Sequence, residues 1–265
     1  MYSFSYHRAI DIEDARAQLN NGSDSKVLGG GQTLLASLKL RLAQPDCLVD
    51  LAGIAELRVI HKTDGNLHIG AMTPHAEVAD SPEVQAAIPA LAHLAGQIGD
   101  PMVRNCGTLG GSLANSDPAA DYPAAVLGLG ATIVTDRRRI AADDFFLGMF
   151  ETALEPDELI VRVEFPPPEC SSYIKFKHPA SRFALVGVFV AKTAGGPRVA
   201  VTGAGPAAFR VLPMEEALSR HFSPEAIEHI HLDEADMNSD LQATAAYRAH
   251  LVNVLARRAV LAALT

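Results

Sequence analysis

The chain contains no tryptophan and only three cysteines, Cys47, Cys106 and Cys170. They stand far apart and form no C-x-x-C pair, which excludes a self-contained zinc or iron–sulfur motif of the usual spacing and favours a reducing compartment. Positive charge is scarce: 22 Lys and Arg face 31 Asp and Glu, a formal charge of −9. A nucleic-acid surface would need a basic stripe. The one basic run, Arg137-Arg138-Arg139, reads as a solvated turn between two strands. No apolar run reaches the roughly 18 residues of a membrane-spanning helix. Met1 to Arg8 lacks the basic and apolar regions of a signal peptide, so the expected location is the cytoplasm. His221, His229 and His231 share one polar stretch without the i,i+4 pair of a helical metal site and read as exposed. No Ser-His-Asp set and no paired-carboxylate hydrolase pattern is present.

Against those absences, the 265 residues are 48% hydrophobic and 20% charged, enough core for one or two ordinary domains. Six of the 20 glycines fall in two clusters. The first is Val27-Leu28-Gly29-Gly30-Gly31-Gln32-Thr33-Leu34-Leu35. The second is Arg104-Asn105-Cys106-Gly107-Thr108-Leu109-Gly110-Gly111-Ser112-Leu113-Ala114-Asn115. Without Cβ atoms, consecutive peptide N–H groups can turn toward one anion. Thr33 and Ser112 can each add a hydroxyl donor. Two such loops could close on one pyrophosphate from opposite sides, which is the pattern of a dinucleotide site. A third run, Gly203-Ala204-Gly205-Pro206-Ala207-Ala208, has the G-x-G-x-x-A form. Its proline and the antiparallel region before it argue for a plain turn.

Along the chain, Asp11 is placed to cap a helix over 11–20. Lys26 to Leu28, a helix from Thr33 to Leu42, and Cys47 to Leu51 form a βαβ-like unit. Thr63-Asp64-Gly65-Asn66 marks a hairpin within 57–69. Thr73-Pro74 reads as an N-cap followed by proline at the first helical position. Alanine-rich helices follow over 83–97, then a helix from Asp121 to about Gly128, and strands at 131–135 and 158–165. Pro166-Pro167-Pro168 can continue neither strand nor helix and is the best domain boundary. Beyond it, three antiparallel strands are expected at 172–177, 185–193 and 198–201, and helices at 213–220, 224–231 and 241–262.

The two clusters resemble the flavin-binding motifs of the medium subunit of molybdenum hydroxylases, the xanthine dehydrogenase, aldehyde oxidase and aerobic carbon monoxide dehydrogenase group. The likeness continues through Lys39 to Pro45, Val49-Asp50-Leu51, Gly70-Ala71-Met72-Thr73 and Val103 to Asp121. It is nearest to carbon monoxide dehydrogenase-like medium subunits over Leu38 to Leu51 and Ala141 to Gly148. The resemblance implies an α+β chain with a two-part FAD-binding domain of the vanillyl-alcohol-oxidase/PCMH type over 1–168, divided at about 52. A smaller C-terminal domain over 171–265 would carry a three-stranded antiparallel sheet and a helical bundle.

Carried over residue by residue, the backbone of Gly29, Gly30, Gly31, Gln32, Thr33 and Leu34 and that of Thr108, Leu109, Gly110, Gly111 and Ser112 would hold the FAD pyrophosphate. Gly31 departs from relatives that often have a larger residue there. Asp121 would bond the flavin's polar chain, with a helix N-cap as its other reading. Asn115 either shapes its own loop or touches ligand. Phe183 would approach the ring, or else pack in the core. Ile160 and Leu185 would line the ring, and Lys177 would supply a nearby charge or lie on the surface. No residue suits a molybdenum cofactor. By resemblance, a large molybdopterin-binding subunit and a small subunit with two [2Fe–2S] clusters would be partners, and electrons would leave FAD for a quinone, NAD or oxygen. A stand-alone flavin oxidoreductase of the same fold and a flavin-free assembly scaffold stay open as alternatives.

Overall fold

The structure, a computed structural model, describes residues 1–22 and 24–265. Strand β1 (Ser5–Arg8), helix α1 (Ile12–Leu19), strand β2 (Ser25–Leu28), helix α2 (Leu34–Lys39) and strand β3 (Cys47–Asp50) open the chain. β1 and β2 flank β3, both parallel to it. The expected βαβ unit is therefore present, with β1 added on the far side. Asp11 caps α1 by accepting the Asp14 N–H at 2.8 Å. The second helix is shorter than its pattern suggested. It stops at Lys39, and Arg41 turns to a left-handed φ of 60°. β3 is the central strand, paired on both edges, and is buried at every position.

Strands β4 (Ile60–Thr63) and β5 (Asn66–Gly70) form the expected hairpin. Asp64 and Gly65 hold φ values of 52° and 82°. Two successive positive φ angles match the twist of a two-residue hairpin, which explains the Asp-Gly pair. Six helices follow: α3 (His75–Asp80), α4 (Pro82–Ala87), α5 (Pro89–Gly96), α6 (Pro101–Cys106), α7 (Leu109–Asn115) and α8 (Tyr122–Leu129). Proline occupies the first or second position of α4, α5, α6 and α8, where its missing N–H costs nothing. Thr73 does not cap α3. Its carbonyl instead accepts the Leu109 N–H at 3.1 Å, while the His75 N–H donates to the Gly107 carbonyl at 3.0 Å. This short ladder draws Pro74 into extended backbone at the cap position. After α8 come β6 (Thr132–Thr135), β7 (Arg139–Ala141), the small hairpin β8 (Phe146–Gly148) and β9 (Glu151–Thr152), and β10 (Ile160–Phe165). The resulting antiparallel sheet has the order β4-β5-β10-β6-β7.

Pro166 to Pro168 separate β10 from β11 (Cys170–Lys177). β12 (Ala184–Thr193), β13 (Gly196–Thr202) and β14 (Phe209–Arg210) complete an antiparallel sheet in chain order, one short strand more than expected. β12 reads Ala-Leu-Val-Gly-Val-Phe-Val-Ala through its buried part, with no alternation, because both faces are covered. Phe189, Ala191, Ala200 and Tyr173 join the core of α5 and α8. Val186, Val188, Val190, Val199 and Val201 join a second core under α9 (Leu212–Arg220) and α10 (Ala245–Ala263). The helical pattern over 224–231 is realised only as a 3-10 turn at Pro224–Ile227. The last helix starts at Ala245, with Thr244 accepting the Tyr247 N–H. Gly203 is a turn residue at φ 82°, its N–H bonded to the Pro118 carbonyl at 2.7 Å.

α8 lies against β12 closely enough that a Cβ on Gly128 would stand 2.7 Å from Phe189 Cδ1. Gly128→Val should overpack this seam and destabilise the chain by about 1–3 kcal/mol in urea unfolding. A loss below a few tenths would mean that α8 and β12 can part without cost.

Candidate functional site

The two glycine clusters, some eighty residues apart in sequence, meet backbone to backbone. A Cβ on Gly30 would overlap the Cys106 carbonyl oxygen and stand 2.6 Å from Gly107 Cα. A Cβ on Gly29 would lie 3.2 Å from Thr108 Oγ1. β2 delivers the first cluster to this point, and the ladder between 73–75 and 107–109 fixes the second. A Cβ on Gly110 would lie 2.6 Å from that of Ala71, so the second cluster is also seated tightly on the chain leaving β5.

The hydrogen-bonding capacity of the clusters is unequal. Among the described residues the N–H groups from Gly30 to Leu34 have no acceptor. In the second cluster, Leu109 donates to Thr73 O and Gly110 to Ala71 O, at 3.1 and 2.8 Å. Gly111 donates to Thr108 Oγ1 at 3.2 Å, and Ser112 to Thr108 O at 3.0 Å. Four of the five amides expected to face an anion therefore hold the turn and open α7, and the Thr108 N–H has no acceptor among the described residues. The expectation that the N–H groups from Thr108 to Ser112 all face the pyrophosphate is corrected on this point. The first cluster carries the open donors, and the second supplies close packing and the partly exposed Ser112.

Asp121 is 4% exposed and makes no N-cap bond. Its carboxylate accepts from Tyr173 Oη at 2.5 Å and from Lys175 Nζ at 2.9 Å. The Lys175 side chain is fully buried and also reaches the Gln97 carbonyl at 3.3 Å. Burial raises the pKa of the Asp121 carboxyl, and the Lys175 charge opposes that rise. Burial likewise lowers that of the Lys175 ammonium against the pull of Asp121. Asp121 thus ties the start of α8 to β11, and that task already occupies both its oxygens. Gly187, opposite Lys175 on β12, leaves the space that the Tyr173 hydroxyl occupies. The sequence made Lys177 either a charge near the flavin or a surface lysine and did not single out Lys175. Strand alternation puts Tyr173, Lys175 and Lys177 on one face, and depth selects Lys175, since Lys177 is exposed.

Phe183 is 46% exposed, which removes core packing as its role. Ile160 and Leu185 are buried in different hydrophobic clusters. Asp117 accepts the Ala119 N–H at 2.8 Å and shapes its own turn. Asn115 makes no such bond to its own backbone among the described residues. No group of three His, Cys, Asp or Glu side chains there could hold a metal ion, and no helix is long and apolar enough to cross a membrane.

His75 escaped sequence reading. Its ring packs 5.3 Å from Tyr122, and a Cβ on Gly107 would come 2.6 Å from its Nε2. Burial, helped by the nearby Arg104 charge, pushes its pKa down to about 4. A neutral imidazole therefore supports the second glycine cluster.

A glycine crossing with open backbone donors, set on this α+β framework, suits an anionic group such as a dinucleotide's pyrophosphate. Residues 2–168 match the family of FAD binding domains in molybdopterin dehydrogenases, and the chain belongs to that family. It is 36% identical to the carbon monoxide dehydrogenase medium chain of Hydrogenophaga pseudoflava, over 98% of this chain and 96% of that one. It is 35% identical to the nicotine 6-hydroxylase medium subunit of Paenarthrobacter nicotinovorans, over 97% and 96%. A reconstituted CO dehydrogenase structure from Oligotropha carboxidovorans superposes with a TM-score of 0.92 at 32% identity, covering 99% of this chain and 98% of that one. The chain is an FAD-binding medium subunit of the molybdenum hydroxylase type, and its class is oxidoreductase.

Lys175→Met would leave the Asp121 carboxylate buried without its cation and should cost about 3–5 kcal/mol of folding stability. Exposed Lys177→Met should stay within about 0.5 kcal/mol. Equal losses in denaturant titrations would show that the pair is not the tie described. For His75, the folded pKa lies below the unfolded 6.5. The unfolded chain therefore binds the extra proton first, and stability falls as pH drops from 6.5 toward about 4, by up to about 1.4 kcal/mol per pH unit. His75→Gln should flatten this arm of the stability–pH curve, and an unchanged arm would assign it to other groups.

Proposed function

We propose that this chain holds FAD at the electron exit of a multi-subunit hydroxylase. The observation that carries the reading is the run of unpaired N–H groups from Gly30 to Leu34, at the point where Cys106 and Gly107 cross Gly30. A pyrophosphate suits that place, because it offers anionic oxygens to donors that otherwise have no partner. The residues present fit the cofactor. Gly29 to Leu34 and Thr108 would take the pyrophosphate, the second cluster from Leu109 to Gly111 would form the opposing wall, and Ser112 would add a hydroxyl. Phe183 would approach the flavin ring, Ile160 and Leu185 would line it, and Lys177 would supply a nearby charge, while Asp121 holds the start of α8 through Tyr173 and Lys175. Bound FAD supplies two-electron acceptance with release singly or as hydride.

The chain's own tasks are to bind, orient and shield. Two relatives are named medium chain or medium subunit, which supports assembly with a larger and a smaller partner. We assign the molybdopterin centre to the large partner and the [2Fe–2S] clusters to the small one. Electrons would pass from those clusters to FAD and on to a quinone, NAD or oxygen, in the cytoplasm. The division into 1–52, 53–168 and 171–265 is part of the same proposal, with Pro166 to Pro168 as the last boundary.

The test is an absorption titration of the purified chain with FAD. Flavin bands at about one FAD per chain are expected. Gly30→Val, whose side chain would collide with the Cys106 carbonyl, should abolish them while circular dichroism shows a folded protein. Full flavin content in the folded variant would place the cofactor elsewhere.

A further inference from the structure

The segment from β11 to β12 carries exposed Phe183 and is closed by one imidazole. His178 Nδ1 accepts the backbone N–H groups of Ala180 and Ser181, at 3.2 and 3.0 Å. Across the gap, His178 Nε2 lies 2.9 Å from Gln242 Oε1. A nitrogen that accepts two N–H bonds carries no proton, and a carbonyl oxygen can only accept. The tautomer is thereby fixed: neutral, with its hydrogen on Nε2. Two backbone bonds close the same turn, His178 N–H to Phe183 O and Arg182 N–H to His178 O, both at 2.9 Å. Arg182 itself sits at a left-handed φ of 62°.

We propose that His178 is a proton-sensitive clip that positions Phe183. With Nδ1 neutral, the turn is closed and the aromatic side chain is held at a set place on the surface. Protonating Nδ1 puts a third hydrogen against two N–H donors, so both of those bonds are lost; the turn is then held only by the two backbone bonds at its ends and loosens between them. The charged groups of its own segment are Lys177 and Arg182. Across from it, the Asp240 carboxylate is already engaged by the N–H groups of Gln242 and Ala243 and by Arg248. Tyr247 of α10 packs edge-on against Phe176. The clip stands on this geometry alone. Its consequence, pH-dependent access to the flavin ring past Phe183, rests on the proposed function above.

The chain has no tryptophan, so Phe183→Trp gives the full-length protein a single indole reporter. Its steady-state anisotropy should be high at pH 8 and fall through the range between about pH 7 and 5 where imidazoles gain a proton. Adding His178→Asn keeps a side-chain oxygen able to accept from the following turn but removes the titration. Anisotropy should then stay high across the range. Adding His178→Ala should leave it low at every pH. The clip is overturned if the His178→Asn curve superimposes on the parent curve, or if His178→Ala stays as ordered as the parent at pH 8. These readings need no cofactor, so a failure of FAD binding would count against the flavin reading alone.

Discussion

The rest of the molecule is arranged around one contact, the passage of Gly30 over the Cys106 carbonyl. Two backbones can come this close only where a side chain is absent, and the approach brings β2 of the first sheet against the turn between α6 and α7. The short ladder of residues 73–75 with 107–109 holds that turn from below, and neutral His75 supports it from within. The five-stranded sheet and its helices carry the extended segment to which that turn is bonded.

A second constraint joins the base to the C-terminal sheet. Asp121, Tyr173 and Lys175 form a buried polar set whose members satisfy one another, and Gly187 provides the space it needs. Such a set contributes little net stability compared with apolar packing, but it is costly to leave half complete. That asymmetry fixes how α8 sits on β11. It therefore also fixes where the β11–β12 turn, with His178 and Phe183, lies relative to the glycine crossing. Other polar ties act in the same direction: Thr202 Oγ1 donates to Ala120 O, and Arg198 Nε donates to Leu127 O at the end of α8.

The division of labour between the glycine clusters has a physical basis. β2 ends in the first cluster without a following ladder, so its amides remain unpaired up to the start of α2. The second cluster lies between two helices and beside an extended segment, and each neighbour accepts some of its donors. Glycine content alone cannot distinguish these situations, because the residue is required both for open donors and for close packing. The exposed Leu147, Met149 and Phe150 lie on the small hairpin whose Gly148 carbonyl accepts from Ser116 Oγ, just past the second cluster.

Local pattern was enough for much of the chain. The Asp11 cap, the Asp64-Gly65 turn, the strand–glycine–helix start at Leu28 and the break at Pro166 to Pro168 depend on neighbours within a few residues. The flavin family was also legible, because its motifs are continuous in sequence. Partners distant along the chain set the remainder. The amides of Leu109 and Gly110 are taken by Thr73 and Ala71, the carboxylate of Asp121 by Tyr173 and Lys175, and Ile160 and Leu185 by two separate cores. Lys175 and Lys177 are alike in residue type and strand face, and only burial separates the structural cation from the surface one. Sequence thus determined which groups could bend, donate or carry charge. Tertiary packing decided which of them remained free, because each buried polar group must find a partner and the nearest available one is often far away in the chain.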